Sequence, residues 1–359
     1  MLRKTYLATL TLLLGLYSTS SSAQIFDLTF TPSAGVPDVV TTAINAEIQT
    51  AENEINDGLP NASNPDRLME GMANSSVMAG KGIGSDYASN MSVLLLGAGV
   101  GVGADLEKNE EADTDLSGVG VQGGLILGTN LAWMDTKSIL GLDTDKLNVY
   151  VNFFTYSTEK VTGDTDASVD MSSYGMHFSY NLVKPKGNVL LGWGGVKVHW
   201  GYEYNKTNLK FNSSINQEIA NTTAGGNYQS TVTASPFASI DVATHSIPLE
   251  ISSSVQLLYF VSLYGGLGAD YNSGSATGKG DLNSTPSTLN CTGVCPGGAN
   301  SGTITTSANI DGKGKALPIT TRGFAGVQLN LPFIRVFGQV DKAFGNELIG
   351  ATAGVRLVF

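Results

Sequence analysis

Residues 348–359 alternate without a break: Ala351, Ala353, Val355, Leu357 and Phe359 fall on one side of an extended strand, Thr352, Gly354, Arg356 and Val358 on the other. The first face is apolar throughout, while the second carries an arginine. A register slip of one residue would exchange the two faces, so this stretch constrains the fold to a sheet with one apolar side and one polar side. The pattern recurs upstream. Tyr174, Met176, Phe178, Tyr180 and Leu182 share one face, and Gly175, His177, Ser179 and Asn181 share the other.

Period-two patterning covers residues 91–104, 118–128, 147–156, 174–182, 189–204, 208–218, 229–242, 247–258, 260–271, 317–331, 333–344 and 348–359. It predicts an antiparallel sheet of about 12 strands; the weak stretch 208–218 and the stretch 303–310 leave 10 or 14 open. In 189–204, Trp193 and the set Trp200, Tyr202, Tyr204 share a face only if Gly194-Gly195 form a β-bulge. Residues 272–315 are long, poor in apolar side chains and rich in Gly, Ser, Thr and Asn, which predicts a large surface loop. Its Cys291 and Cys295 are the only two cysteines and are expected to pair as a disulfide in an exported protein.

At the other end, Arg3 and Lys4 precede an apolar stretch, 7–17, and then Ser21-Ser22-Ala23, which predicts a signal peptide over 1–23. Beyond it no run of roughly 18 apolar residues suggests a transmembrane helix. Residues 24–90 follow a helical period instead. Val40, Ile44, Ile48, Ala51 and Ile55 form one stripe, and Asn64-Pro65 opens a second helix carrying Leu68, Met69, Met72 and Met78. This segment is expected either to plug a lumen or to rest on the periplasmic rim. Residues 91–359 would then form the sheet.

An exported chain with a net charge of -11 and only 14% charged residues, ending on an aromatic strand, resembles bacterial outer-membrane β-barrel proteins of the porin or transporter kind. The resemblance implies an all-β, transmembrane antiparallel barrel in the cell outer membrane, surrounded by lipid, with small solutes as partners. It also implies that the barrel-assembly machinery recognises the terminal Val355, Leu357 and Phe359. Nucleic acid is not an expected partner of so acidic a chain.

On that reading His177, Ser179, Lys197, His199, Glu203, Arg335, Gln339, Asp341 and Arg356 line the lumen. Mixed charges there either brace the wall as ion pairs or line a solute path. Gly99-Val-Gly101-Val-Gly103-Ala104 has the spacing of a dinucleotide turn, but an acidic stretch follows where that fold needs a helix, so the glycines are expected where something packs close inside. His177-Phe178-Ser179 could present a base beside a nucleophile, yet the apolar residues around it take the lipid face. No catalytic residue, metal site or cofactor is expected. Three functions follow: a channel or transporter for small solutes; a non-conducting surface barrel for adhesion or envelope structure; and a plugged barrel carrying hydrophobic compounds.

Overall fold

A computed structural model of the chain describes residues 26–32, 64–88, 93–108, 114–134, 136–162, 165–187, 190–213, 215–223, 226–284, 287–293 and 300–359, with a few positions between 34 and 49. The expected signal peptide and the stripe Val40, Ile44, Ile48, Ala51 and Ile55 lie outside the described residues. The elements begin with β1 (Phe26–Pro32), α1 (Pro65–Ala79), β2 (Leu94–Lys108) and β3 (Thr114–Asn130). A small hairpin, β4 (Ser138–Ile139) and β5 (Leu142–Asp143), leads to β6 (Leu147–Thr162), β7 (Thr165–Val183), β8 (Lys186–Gly187), β9 (Leu191–Ser213) and β10 (Ile215–Thr223). Then come β11 (Gly226–Leu257), β12 (Val261–Ser284), β13 (Ser287–Gly293), β14 (Asn300–Lys315), β15 (Ile319–Asn330), β16 (Ile334–Ala343) and β17 (Leu348–Val358).

Ten of these strands close a ring. β2 pairs with β3, then β6, β7, β9, β11, β12, β15, β16 and β17 follow in turn, every neighbour antiparallel. β17 returns to β2 from Leu348↔Asp105 to Val358↔Leu95. Each strand of the ring has a neighbour on both sides, as a sheet needs to cross hydrocarbon, and the shortest seam is that of β3 with β6, which pair only from Leu125↔Phe153 to Asn130↔Asn148. The ring has ten strands, the lower of the counts that the sequence pattern left open beside about 12, and two stretches account for the difference. The stretches 229–242 and 247–258 are one 32-residue strand, β11, which runs through Pro248 while keeping one register with β12. The stretch 208–218 is no separate wall strand: its first part ends β9, and its second part starts β10, which folds back on β11 beyond the ring.

The described residues of 272–315 are likewise strand where a loop was expected. β12 continues to Ser284, β13 follows it, and β14 pairs with both. Alternating Thr, Ser and Asn favour paired strand once both neighbours are in place, and low apolar content was a poor guide because no core has to be buried there. At ~3.3 Å per residue β11 reaches roughly 100 Å, about three times a bilayer crossing of roughly 9–11 residues. The membrane portion is marked by its outward residues Ile247, Leu249, Ile251 and Val255, all exposed; the rest projects beyond the bilayer. The Gly194-Gly195 bulge is present. Gly195 has φ +77, and the register with β11 shifts by one between Ser253 and Val255.

Outward and inward faces alternate along the wall, as on β17, where Ile349, Ala351, Ala353, Val355 and Leu357 are exposed and Leu348, Gly350, Thr352 and Arg356 buried. Val100, Val121, Leu127, Phe153, Met176, Leu263, Val327 and Val336 continue the exposed apolar belt around the ring. At the long-hairpin end it is bordered by the stacked pair Tyr174 and Tyr204, centroids 6.3 Å apart, and by exposed Tyr202 and Tyr271. Trp193, Phe260, Phe333 and Phe359 border the short-turn end. Two aromatic borders around an apolar band match a bilayer with its two interfaces.

Candidate functional site

The site is the inside of the ring, and its first occupant is α1. Asn64 caps the helix by accepting from Arg67 N at 3.0 Å, and Pro65 supplies the preset first turn. One face, Met69, Ala73 and Val77, packs on Val242 of β11 and Ala276 of β12. Gly71, Ser75 and Ala79 press on the backbones of β2 and β3. A Cβ on Gly101 or Gly103 would strike the carbonyls of Ala79 or Ser75, and one on Gly118 would strike the Gly71 backbone. The glycine run that mimics a nucleotide turn is therefore a seat for a helix, the close inner approach expected of it.

Polar side chains fix the helix in that seat. Ser75 Oγ donates to Gly118 O at 2.8 Å, Asn74 Nδ2 to Asp105 at 2.9 Å, and Asn205 Nδ2 to Ser76 Oγ at 2.7 Å. Ser76 Oγ and Thr244 Oγ1 lie 3.2 Å apart. At the upper end, Lys313 N donates to Asp66 at 2.7 Å.

The turn after α1 carries the second layer. Lys81 Nζ reaches Glu203 at 2.7 Å, Ser246 Oγ at 2.8 Å and Asp270 at 3.7 Å. Arg322 is fully buried and serves three carboxylates: Asp341 at 2.6 Å, Asp270 at 2.8 Å, and Glu250. Tyr87 Oη donates to the other oxygen of Glu250 at 2.8 Å and stacks on Tyr264 with centroids 5.5 Å apart. Asp86 meets Arg335 at 3.5 Å and Arg356 at 3.6 Å. Arg356 also donates to Ser85 O at 2.5 Å and lies over the Phe337 ring at 3.7 Å.

The residues singled out from sequence fall as follows. His177 Nε2 is 3.1 Å from Asn152 Oδ1 and 3.9 Å from Glu203. Ser179 is buried and its hydroxyl makes no hydrogen bond among the described residues. Lys197 is buried on the same inner face. His199 Nε2 lies 2.9 Å from Ser252 Oγ, with Tyr87 packed on its ring at 4.7 Å. Gln339 donates to Asp341 at 3.0 Å. Glu203, Arg335, Asp341 and Arg356 enter the ion pairs above. Val355, Leu357 and Phe359 are exposed on the outer face, and Phe359 N donates to Leu94 O at 2.9 Å. Cys291 lies on β13; Cys295, and with it the expected bridge, lies outside the described residues.

The His177 and Ser179 side chains are drawn into separate surroundings rather than to each other. The His199–Ser252 contact has the form of a base beside a hydroxyl, but both are buried under Tyr87, which leaves no room for a substrate there. Lys81, Asp86, Tyr87, Glu250, Asp270 and Arg322 complete the network and were not anticipated. Glu250 and Arg322 could have been found from strand phase alone, since each sits between outward residues; Lys81 and Asp86 gave no such signal. In all, Arg67, Lys81, Lys197, Arg322, Arg335 and Arg356 face Asp86, Asp105, Glu203, Glu250, Asp270 and Asp341, six against six, with Arg67 and Arg335 partly exposed. Balance is what burial of so many charges requires.

A closed ring with an apolar outer face and polar contents is an outer-membrane β-barrel, and lipid surrounds its belt. Among curated proteins, none matches the chain. Solved structures similar to it are barrels. The translocator domain of the autotransporter NalP from Neisseria meningitidis is 9% identical, covering 89% of this chain and 98% of that one at a TM-score of 0.29. The transport unit of AIDA-I from Escherichia coli is 10% identical, covering 82% and 99% at 0.36. The toluene transporter TodX of P. putida is 10% identical, covering 81% and 99% at 0.25. With scores this low, the barrel reading stands on the ring's own closure. A family model described as Lsa36-like matches residues 22–359, and the chain belongs to that family.

Proposed function

We propose that the protein is a surface-display barrel, closed to solutes at rest, that acts through the hairpins it raises beyond the outer membrane. The observation that supports this most is the filled lumen. α1 sits backbone to backbone on β2 and β3, and a balanced set of buried ions occupies the space below it. A ring of ten strands is narrow, and one helix with its side chains takes up most of such an interior. The raised part is rich in Thr, Ser, Asn and Gly and carries excess acid in 105–115 and 159–170, a hydrogen-bonding surface suited to adhesion or to contact within the envelope.

The test is conductance of purified barrel in planar bilayers. The wild type should show no stable current steps, and a steady open level would overturn the reading. A second reading, transport through a displaced plug, draws on the ion pairs of residues 81–87 rather than on apolar packing, since ion pairs can exchange partners between two discrete arrangements. Current appearing only when Arg322 or Arg356 is neutralised would favour it. Recognition of Phe359 by the assembly machinery, and the disulfide between Cys291 and Cys295, are part of the same proposal.

A further inference from the structure

The direction in which the chain passes through its own barrel has a consequence for where its N-terminal region resides. β1 pairs antiparallel with β14, from Phe26↔Ala308 to Pro32↔Gly302, and β14 belongs to the hairpins beyond the membrane. Asp66 accepts from Lys313 N on the same strand at 2.7 Å, and a Cβ on Gly312 would touch Pro65, so α1 starts at this end too. From there the chain descends. Ala79 meets Gly101 halfway along β2, Tyr87 packs on Tyr264 and Phe324, Asp86 pairs with Arg335 at the start of β16, and Val93 N donates to Phe359 O at the opposite rim at 3.2 Å. At ~1.5 Å per residue the 15 residues of α1 span about 22 Å, and residues 80–88 continue the descent.

We infer that β1 and the start of α1 are displayed on the outer surface of the cell, with residues 65–88 running down through the lumen from the outside toward the periplasmic rim. β1 then occupies the edge of β14 that β15 leaves to β16 lower down, so the N-terminal region is an integral part of the exposed surface and available to external partners. The ion pairs of Lys81 and Asp86 anchor this descending stretch against withdrawal. The inference rests on the surface-barrel reading, which puts the long hairpins outside.

The experiment is labelling of intact cells with a membrane-impermeant thiol reagent, using full-length chain in a Cys291→Ser, Cys295→Ser background. Three single variants are compared, each first checked for a folded, heat-modifiable barrel: Ala34→Cys in the N-terminal region, Lys313→Cys in the raised hairpin, and Leu140→Cys in the opposite turn. All three positions are exposed. The expected result is that the Ala34 and Lys313 variants label as fully before permeabilisation as after it, and the Leu140 variant only after. If the Lys313 variant labels on intact cells but the Ala34 variant does not, the threading is wrong and the surface barrel stands. If the Leu140 variant labels and the Lys313 variant does not, the orientation itself is reversed and both fall. Failure of all three to label on intact cells removes both as well.

Discussion

Replacing Arg322 by leucine would remove the one guanidinium that serves Glu250, Asp270 and Asp341, leaving three carboxylates with side-chain exposures of 4%, 1% and 0%. Their substitutes are unequal. Glu250 keeps Tyr87 Oη, Asp270 keeps Lys81 at 3.7 Å, and Asp341 keeps only the Gln339 amide. Breaking a buried pair from one side costs about 3–5 kcal/mol because the surviving charge stays desolvated, and here more than one survives, so the loss should lie at or above that range. The exposed Lys342–Glu347 pair, at 47% and 32%, provides the scale: Lys342→Leu should cost no more than about 1 kcal/mol. The assay is urea unfolding of the barrel refolded into micelles, read by the shift of its heat-modifiable band. Arg322→Leu combined with Asp341→Leu should recover about 1–3 kcal/mol of the single-variant loss, since it removes the worst orphan. An Arg322→Leu cost below about 1 kcal/mol would mean that water reaches these ions, and the argument for a filled lumen would fail.

Other outcomes follow from the same geometry. Gly118→Leu should force α1 off its seat, because even a Cβ there meets Gly71 backbone; a cost of about 1–3 kcal/mol or more is expected, with current steps where the wild type gives none. Met176→Arg, on the outer belt, should cost about 2–4 kcal/mol, whereas Asp241→Arg, exposed beyond the tyrosine border, should stay within about 0.5 kcal/mol. Deleting Phe359 should lower the amount of folded barrel in outer-membrane fractions without destabilising what does assemble by more than the loss of its three backbone hydrogen bonds to Val93 and Leu94, about 1–3 kcal/mol.

The wall could be read from sequence because its code is local: period two tells the two faces apart wherever lipid lies on one side. β17, β7 and the bulge of β9 are where the pattern put them. The raised sheet could not be read in this way, since with polar surroundings on both faces Thr, Ser and Asn carry no phase, and residues 272–315 then look like a loop. Pro248 misled for a different reason: lacking an N–H it suggests a break, yet it sits inside β11 with its register on β12 intact. In the lumen, strand phase marked His177, Lys197, Glu203, Asp341 and Arg356 as inward residues but said nothing of their partners. The partners of Glu203 and Arg356 sit in residues 80–87, whose placement depends on packing between α1 and glycines remote in sequence, while Asp341 meets Arg322 and His177 meets Asn152 on neighbouring strands. Arginine at Ser179 illustrates the difference, since a water-filled interior would accept it, whereas the observed interior leaves no space beside that serine.

The position of α1 inside the ring is open to a cross-link. Ser76 Oγ and Thr244 Oγ1 are 3.2 Å apart, helix to wall, and both side chains are buried. In the Cys291→Ser, Cys295→Ser background, Ser76→Cys with Thr244→Cys should oxidise to a disulfide in barrels isolated from the outer membrane, while Ser76→Cys with Thr352→Cys, which have no contact, should not. Near-complete cross-linking of the first pair in folded barrel is the predicted result. A folded, membrane-inserted barrel whose first pair stays reduced under the same oxidant would put α1 outside the lumen and contradict the account.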